Sequence, residues 1–188
     1  MKISVKDFEN LGIYKPEIYT QWLNDCFKKF NVNTPNRIIA LLMNLMHESG
    51  NFKLVKEIAS GKAYEGNKIL GNIQKGDGPK FVGRGLGQIT GRWNYSEFTR
   101  WCKKNIINFN LNFEQNPELL EQPKWAVLSA FWYWEFKKCA VYADLADFKN
   151  VASIWNTGRI NSKIINGWDQ RVIKQKKLEK WIVTLITE

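Results

Sequence analysis

Thr34-Pro35-Asn36-Arg37-Ile38-Ile39-Ala40-Leu41-Leu42-Met43-Asn44-Leu45-Met46-His47-Glu48-Ser49-Gly50 carries the marks of one helix with both of its ends. Threonine before proline predicts an N-cap with proline at the first helical position. Ile38, Ile39, Leu41, Leu42, Leu45 and Met46 then recur at helical spacing, and Gly50 is a natural stop. Glu48 follows Leu41 and Leu45 at i+7 and i+3, which places a carboxylate on the apolar, core-facing stripe. Such a group is costly unless paired or protonated. Desolvation raises its pKa, which suits a general acid working near neutral pH. The structural alternative is a helix-end glutamate that reaches solvent as the helix stops.

Helical spacing continues on both sides of this segment. Ile18, Trp22, Cys26 and Phe30 mark a stripe on a helix over 16–30. Asn116-Pro117-Glu118 caps a short helix, and Pro123 opens a longer one through Trp125, Leu128, Phe131, Trp132 and Phe136. Helices over 148–155 and 169–186 complete the set. Between them, residues 57–94 carry nine of the thirteen glycines, with room for at most a small β-hairpin near 80–89. A loop this long inside a small domain is usually functional. The expectation is a mainly α, single catalytic domain over 1–188, with a glycine-rich loop region beside the helices.

Composition narrows the function. With 188 residues, 44% apolar and 14% aromatic, the chain can bury a core and is not disordered. The nine tryptophans read mostly as core, Trp125, Trp132 and Trp134 above all. Cys26, Cys102 and Cys139 form no CxxC pair and there is one histidine, so no metal or cofactor is expected, and reduced thiols are the simplest state. The net charge of +10 implies an anionic partner: nucleic acid, anionic lipid or a bacterial wall. The lysines are dispersed and no nucleic-acid motif is present, which leaves a non-catalytic basic binding protein as the remote alternative. The N-terminus shows no signal-peptide core and no run spans a bilayer, so the expectation is a monomer without a membrane anchor, cytoplasmic until released to its substrate.

Glu57 and Glu65 follow Glu48 in the chain. Glycoside hydrolysis needs two carboxyl groups, one to protonate the leaving oxygen and one to activate water or attack carbon. Gly83-Arg84-Gly85-Leu86-Gly87-Gln88-Ile89-Thr90, followed by Trp93-Asn94-Tyr95, offers close backbone approach and the polar groups that sugars and water need. A phosphate loop is excluded by pattern, and a structural turn is the alternative.

His47-Glu48-Ser49-Gly50 resembles the helix end of family 19 glycoside hydrolases, and residues 81–95 resemble their Gly-Arg-Gly-x-x-Gln-[Leu/Ile]-[Ser/Thr] signature with its downstream Asn-Tyr. Tyr64-Glu65-Gly66, Leu70-Gly71-Asn72 and Gly76-Asp77-Gly78 are similar to the phage and prophage branch of that family. The resemblance implies a lysozyme-like helical fold of two lobes with a cleft between them. It also implies inversion, with the carboxylates about 6.5–9.5 Å apart. It makes Glu48 the general acid and Glu57, nine residues on as in compact members, the base, with Glu65 as the alternative base. Thr90 matches the hydroxyl that holds the attacking water. Gln88, Asn94 and Asn156 match sugar-binding positions, Trp93 lies inside the signature as a sugar contact, and Arg171 matches an arginine that steadies the base. His47 is an orienting or core residue. The sequence departs from the pattern at Asn51, where the second glycine is replaced, at Val82, at Gly87 and around Thr157. The implied substrate is peptidoglycan, as for an endolysin; chitin oligosaccharides are the alternative, and a secreted antibacterial wall hydrolase would use the same chemistry.

Overall fold

The computed structural model describes residues 2–187, with backbone alone for 186 and 187; Met1 and Glu188, the ends of the expected domain, lie outside the described residues. Helices dominate: α1 (Val5–Asn10), α2 (Thr20–Lys29), α3 (Pro35–Glu48), α4 (Asp77–Lys80), α5 (Arg92–Asn105), α6 (Pro123–Phe136), α7 (Cys139–Asp144), α8 (Phe148–Thr157) and α9 (Trp168–Thr187). Three-residue 3-10 turns sit at Pro16–Ile18, Lys62–Tyr64 and Lys68–Leu70, and a longer one covers Pro117–Glu121. The expected hairpin reduces to isolated antiparallel bridges, Lys56 with Arg84 and Arg84 with Ile89. The glycines around them keep turning the chain before a ladder can extend.

Helix α3 is the hub. Thr34 caps it by accepting from the Arg37 amide, and every residue from Ile38 to Met46 is buried. It packs against α9, α7 and α8, while α2 lies on α6. Its end is abrupt: Gly50, Asn51 and Phe52 all take left-handed φ, at 57°, 58° and 71°. Asparagine tolerates that region better than most side chains, which accounts for Asn51 at a glycine position. The Asn51 carbonyl also accepts from the Tyr14 amide at 2.9 Å, tying the turn to the N-terminal segment. Burial of Trp125, Trp132 and Trp134 in α6 matches their reading as core.

The stripe on the helix over 16–30 falls differently from its predicted phase. On α2 the buried residues are Leu23, Cys26 and Phe27, with Ile18 41% exposed. Ile18 belongs to the 3-10 turn, which advances three residues per turn, so counting from it loses register with the α-helix. On α9, Leu178, Trp181 and Ile182 face inward while Ile173 is 60% exposed. Arg171 holds the inward position of that first turn instead.

The glycine-rich loop is stapled by polar groups. Glu65 accepts from the amides of Gly76 and Gly78 at 2.7 and 2.8 Å, so its role in the loop uses backbone donors and not Arg84 or Arg92. Arg84 pairs with Glu121, and Arg92 with Asp77 and Glu114. The Arg92 hydrogen bond holds the Asp77 carboxyl below the usual range. Gly87 stays small because a side chain there would press on Ala130 and Trp155, whose indole donates to the Gly87 carbonyl at 3.3 Å.

Candidate active site

A cleft of about 500 Å³ opens between this loop and the α6–α8 side of the molecule. Glu48, Glu57, Gln88, Thr90, Asn94 and Asn156 line it, together with Tyr64, Tyr133 and Asn166. The fold thus brings six of the predicted site residues to one place. Glu65, Trp93 and Arg171 are elsewhere. Trp93 is 42% exposed and leans on Phe136 with ring centroids 5.5 Å apart, outside the cleft lining.

Glu48 is the last residue of α3, and its side chain is 20% exposed. It is not left dry on the apolar stripe. Arg171, 1% exposed, donates Nη2 to Glu48 Oε1 and Nη1 to Asn44 Oδ1. Asn44 sits one turn before Glu48, fully buried, and gives its own amide to the Ala40 carbonyl at 2.7 Å. Arg171 therefore steadies the acid candidate, not the base candidate, and it is too buried to touch substrate. Only Oε1 of Glu48 is engaged by the arginine, which leaves Oε2 to carry a proton.

Glu57 stands on the loop wall, fixed by a reciprocal pair of bonds to one residue. Its amide donates to the Gly83 carbonyl at 2.8 Å, and its Oε2 accepts from the Gly83 amide at 3.0 Å. Its Oε1 accepts from the Tyr64 hydroxyl at 2.8 Å. A methyl group added at Gly83 would lie 2.7 Å from Gln88 Oε1, 3.2 Å from Thr90 Oγ1 and 3.3 Å from Glu57 Oε2. The absence of a side chain at Gly83 is therefore what lets these three oxygens close in around its backbone. Gln88 is held for this by left-handed backbone and by donation of its Nε2 to the Gly85 carbonyl at 3.1 Å, and Thr90 donates to the Gln88 carbonyl at 2.9 Å.

The opposite rim is built from α8 and the segment before α9. Asn156 Oδ1 accepts from the Asn166 amide at 3.0 Å. The His47 ring lies against Gly167, where any side chain would fall 2.1 Å from its Cε1. Burial, then Arg171 and Lys174, push the histidine down to about 4, so near neutral pH it packs as a neutral ring behind this rim. Tyr64, like Tyr133 and Asn166, is a cleft residue without an assigned part in the sequence reading. The signal for it was the Tyr64-Glu65-Gly66 segment, in which the glutamate drew attention and the phenol faces the cleft. All three cysteines are free and buried, and burial lifts each thiol to about 12, which removes them as nucleophiles.

No protein-family model matches the chain. Over 115 residues, 61% of its length, it is 33% identical to a Haemophilus influenzae protein described as a glycosyl hydrolase family 19 domain-containing protein; the match spans 49% of that protein, about half its length. The fold superposes on chitinase C from Streptomyces griseus with a TM-score of 0.72, covering 95% of this chain and 76% of that one at 19% identity. A bacterial family 19 chitinase gives 0.68, with 96% and 95% covered at 17% identity, and a class IV chitinase from Zea mays 0.64, with 95% and 92% covered at 18% identity. The chain is thus similar in sequence, over 115 residues, to a protein described as carrying a family 19 domain, and it shares its fold with family 19 chitinases.

Proposed function

We propose that the protein hydrolyses the β-1,4-linked amino-sugar backbone of peptidoglycan by a single displacement with inversion. The observation that carries this is the pairing of Glu48 and Glu57 in one cleft, with the side-chain oxygens of Gln88 and Thr90 gathered beside Glu57 around Gly83. Glu48 gives its proton to the glycosidic oxygen as the bond to C1 breaks. Water seated by Glu57, Thr90 and Gln88 attacks C1 from the other face, and Glu57 takes the proton that water loses. One turnover leaves Glu48 ionised and Glu57 protonated, the reverse of the starting arrangement, and proton exchange with solvent restores it. Gln88, Asn94 and Asn156 supply the polar contacts that hold the sugar rings in register.

Peptidoglycan is favoured over neutral glycans by the net charge of +10, which matches the phosphates and carboxylates of a bacterial wall. Chitin oligosaccharides are the second reading, favoured by the chitinases that share the fold. Both polymers present the same linkage to the acid and the base. Purified murein and chitin hexamers, digested in parallel and analysed by mass spectrometry, separate the two. Muropeptides with intact peptide stems and new reducing ends support the proposal. Turnover of chitin alone transfers the assignment to chitinase.

A further inference from the structure

Glu57 has two donors among the described residues, and only one of them is backbone. The other is the phenol of Tyr64, which donates to Oε1 at 2.8 Å from the wall of the same cleft. We propose that Tyr64 is the positioning residue of the base: its hydroxyl fixes the Glu57 carboxylate in the orientation that takes the proton from water. This rests on Glu57 being the base.

The placement of the phenol is built in from several sides. Tyr64 ends the 3-10 turn Lys62–Tyr64, which begins after Gly61. Gly61 has φ of 72°, and a side chain there would fall 2.3 Å from Val82 Cγ1 and 2.5 Å from the Gly78 carbonyl. The Tyr64 carbonyl accepts from Asn72 Nδ2 at 2.9 Å. Asn72 is fully buried, and its Oδ1 accepts from the amide of Arg92, the first residue of α5, at 2.8 Å. The phenol is thereby tied to the helix that carries Asn94.

The chemistry follows from the two bonds. A carboxylate turns broadly about its last torsion unless both oxygens are engaged. Here Gly83 holds Oε2 and Tyr64 holds Oε1, and each oxygen keeps a lone pair for water. Burial and the neighbouring Glu57 lift the phenol to about 12, with Glu48 acting in the same direction, so it remains a donor throughout the working range. The other charged or titratable groups around Glu57 are Lys56 beside it, Glu48 in the same cleft, and Arg84 and Tyr95 behind Gly83. Arg84 is taken up by Glu121, Tyr95 and the Lys80 carbonyl.

The test is Tyr64→Phe, which removes one oxygen and keeps the ring. Turnover of a soluble oligosaccharide that the wild type cleaves is followed from pH 4 to 8, with the melting temperature as control. The expected result is kcat down by about tenfold, KM within about twofold and the melting temperature within a few degrees. An unchanged kcat overturns the proposal, as does a loss that lies in KM, as for a sugar contact, or in melting temperature, as for a loop support. Glu57→Gln run alongside tests the reading beneath it. If that variant stays active, Glu57 is not the base, whatever Tyr64 does.

Discussion

Arg171 and Glu48 lie 123 positions apart in sequence and are joined by a hydrogen-bonded ion pair between the first turn of α9 and the last residue of α3. The terminal helix thus sets the position of the acid candidate. Arg171→Met should remove this support and leave Asn44 Oδ1 buried without its donor. A loss of about 2–4 kcal/mol is expected, below the full cost of a broken buried pair because Glu48 is partly open to water. Arg171→Lys should recover part of the stability and little of the rate, since one ammonium cannot reach both oxygens with the geometry of the planar fork. Chemical denaturation and turnover on both variants check this; a fully active Arg171→Met would detach the helix from the chemistry.

Gly83→Ala should disturb the polar cluster beside Glu57. Gly83 is not among the residues with left-handed φ, so the backbone itself accepts alanine there. The methyl group would crowd Gln88, Thr90 and Glu57 and push them apart. Turnover should fall by about 10²-fold, in line with loss of water activation, while the melting temperature shifts by only a few degrees. Turnover close to wild type would place the attacking water elsewhere.

Glu57 and Glu65 should separate by what each loss affects. Glu57→Gln should cost about 10²–10⁴ in rate with a small change in melting temperature. Glu65→Gln weakens the acceptor for two loop amides and should lower stability by roughly 1–2 kcal/mol, leaving most of the chemical rate. The opposite pattern, a stable and inactive Glu65 variant beside an active Glu57 variant, would exchange their roles.

His47 makes the fold sensitive to acid in a defined window. Its folded value, about 4, lies below the usual 6.5, so the unfolded chain binds the proton more readily. The contribution of the neutral ring is therefore complete above 6.5 and is lost as pH falls toward 4. His47→Gln should flatten the decline of melting temperature over that window. Because the chain has one histidine, no second imidazole can mask the effect. An unchanged slope in the variant would assign the decline to carboxylates.

The parts of the molecule legible in the sequence are those whose signal is local. The cap at Thr34, the buried run from Ile38 to Met46 and the stop at Gly50 are all written within α3 itself. The 81–95 signature delivers Gln88, Thr90 and Asn94 to the cleft because its turns are fixed by neighbouring residues. What periodicity could not supply are contacts between distant segments. The sequence offered Arg171 as a partner for the base; the close packing of α9 on α3 sets it beside Glu48 instead. Trp93 sits in the signature, yet the first turn of α5 turns it toward Phe136. Glu57 and Glu65 both occupy aperiodic loop, where only hydrogen-bond partners distinguish a cleft carboxylate from a loop staple. Short helices such as α1 and α7 span too few residues to show a repeat.

With Glu48 as the proton donor of a glycoside hydrolase, Glu48→Gln should abolish the chemistry and leave the fold intact. The amide keeps the shape of the side chain and its acceptor oxygen for Arg171, but it cannot protonate a leaving oxygen. Hydrolysis of murein and of chitin oligosaccharides should be measured for the purified variant and wild type at matched melting temperature. The expected result is a fall of two to four orders of magnitude, roughly, on whichever glycan the wild type cleaves. Activity within about threefold of wild type would contradict the assignment.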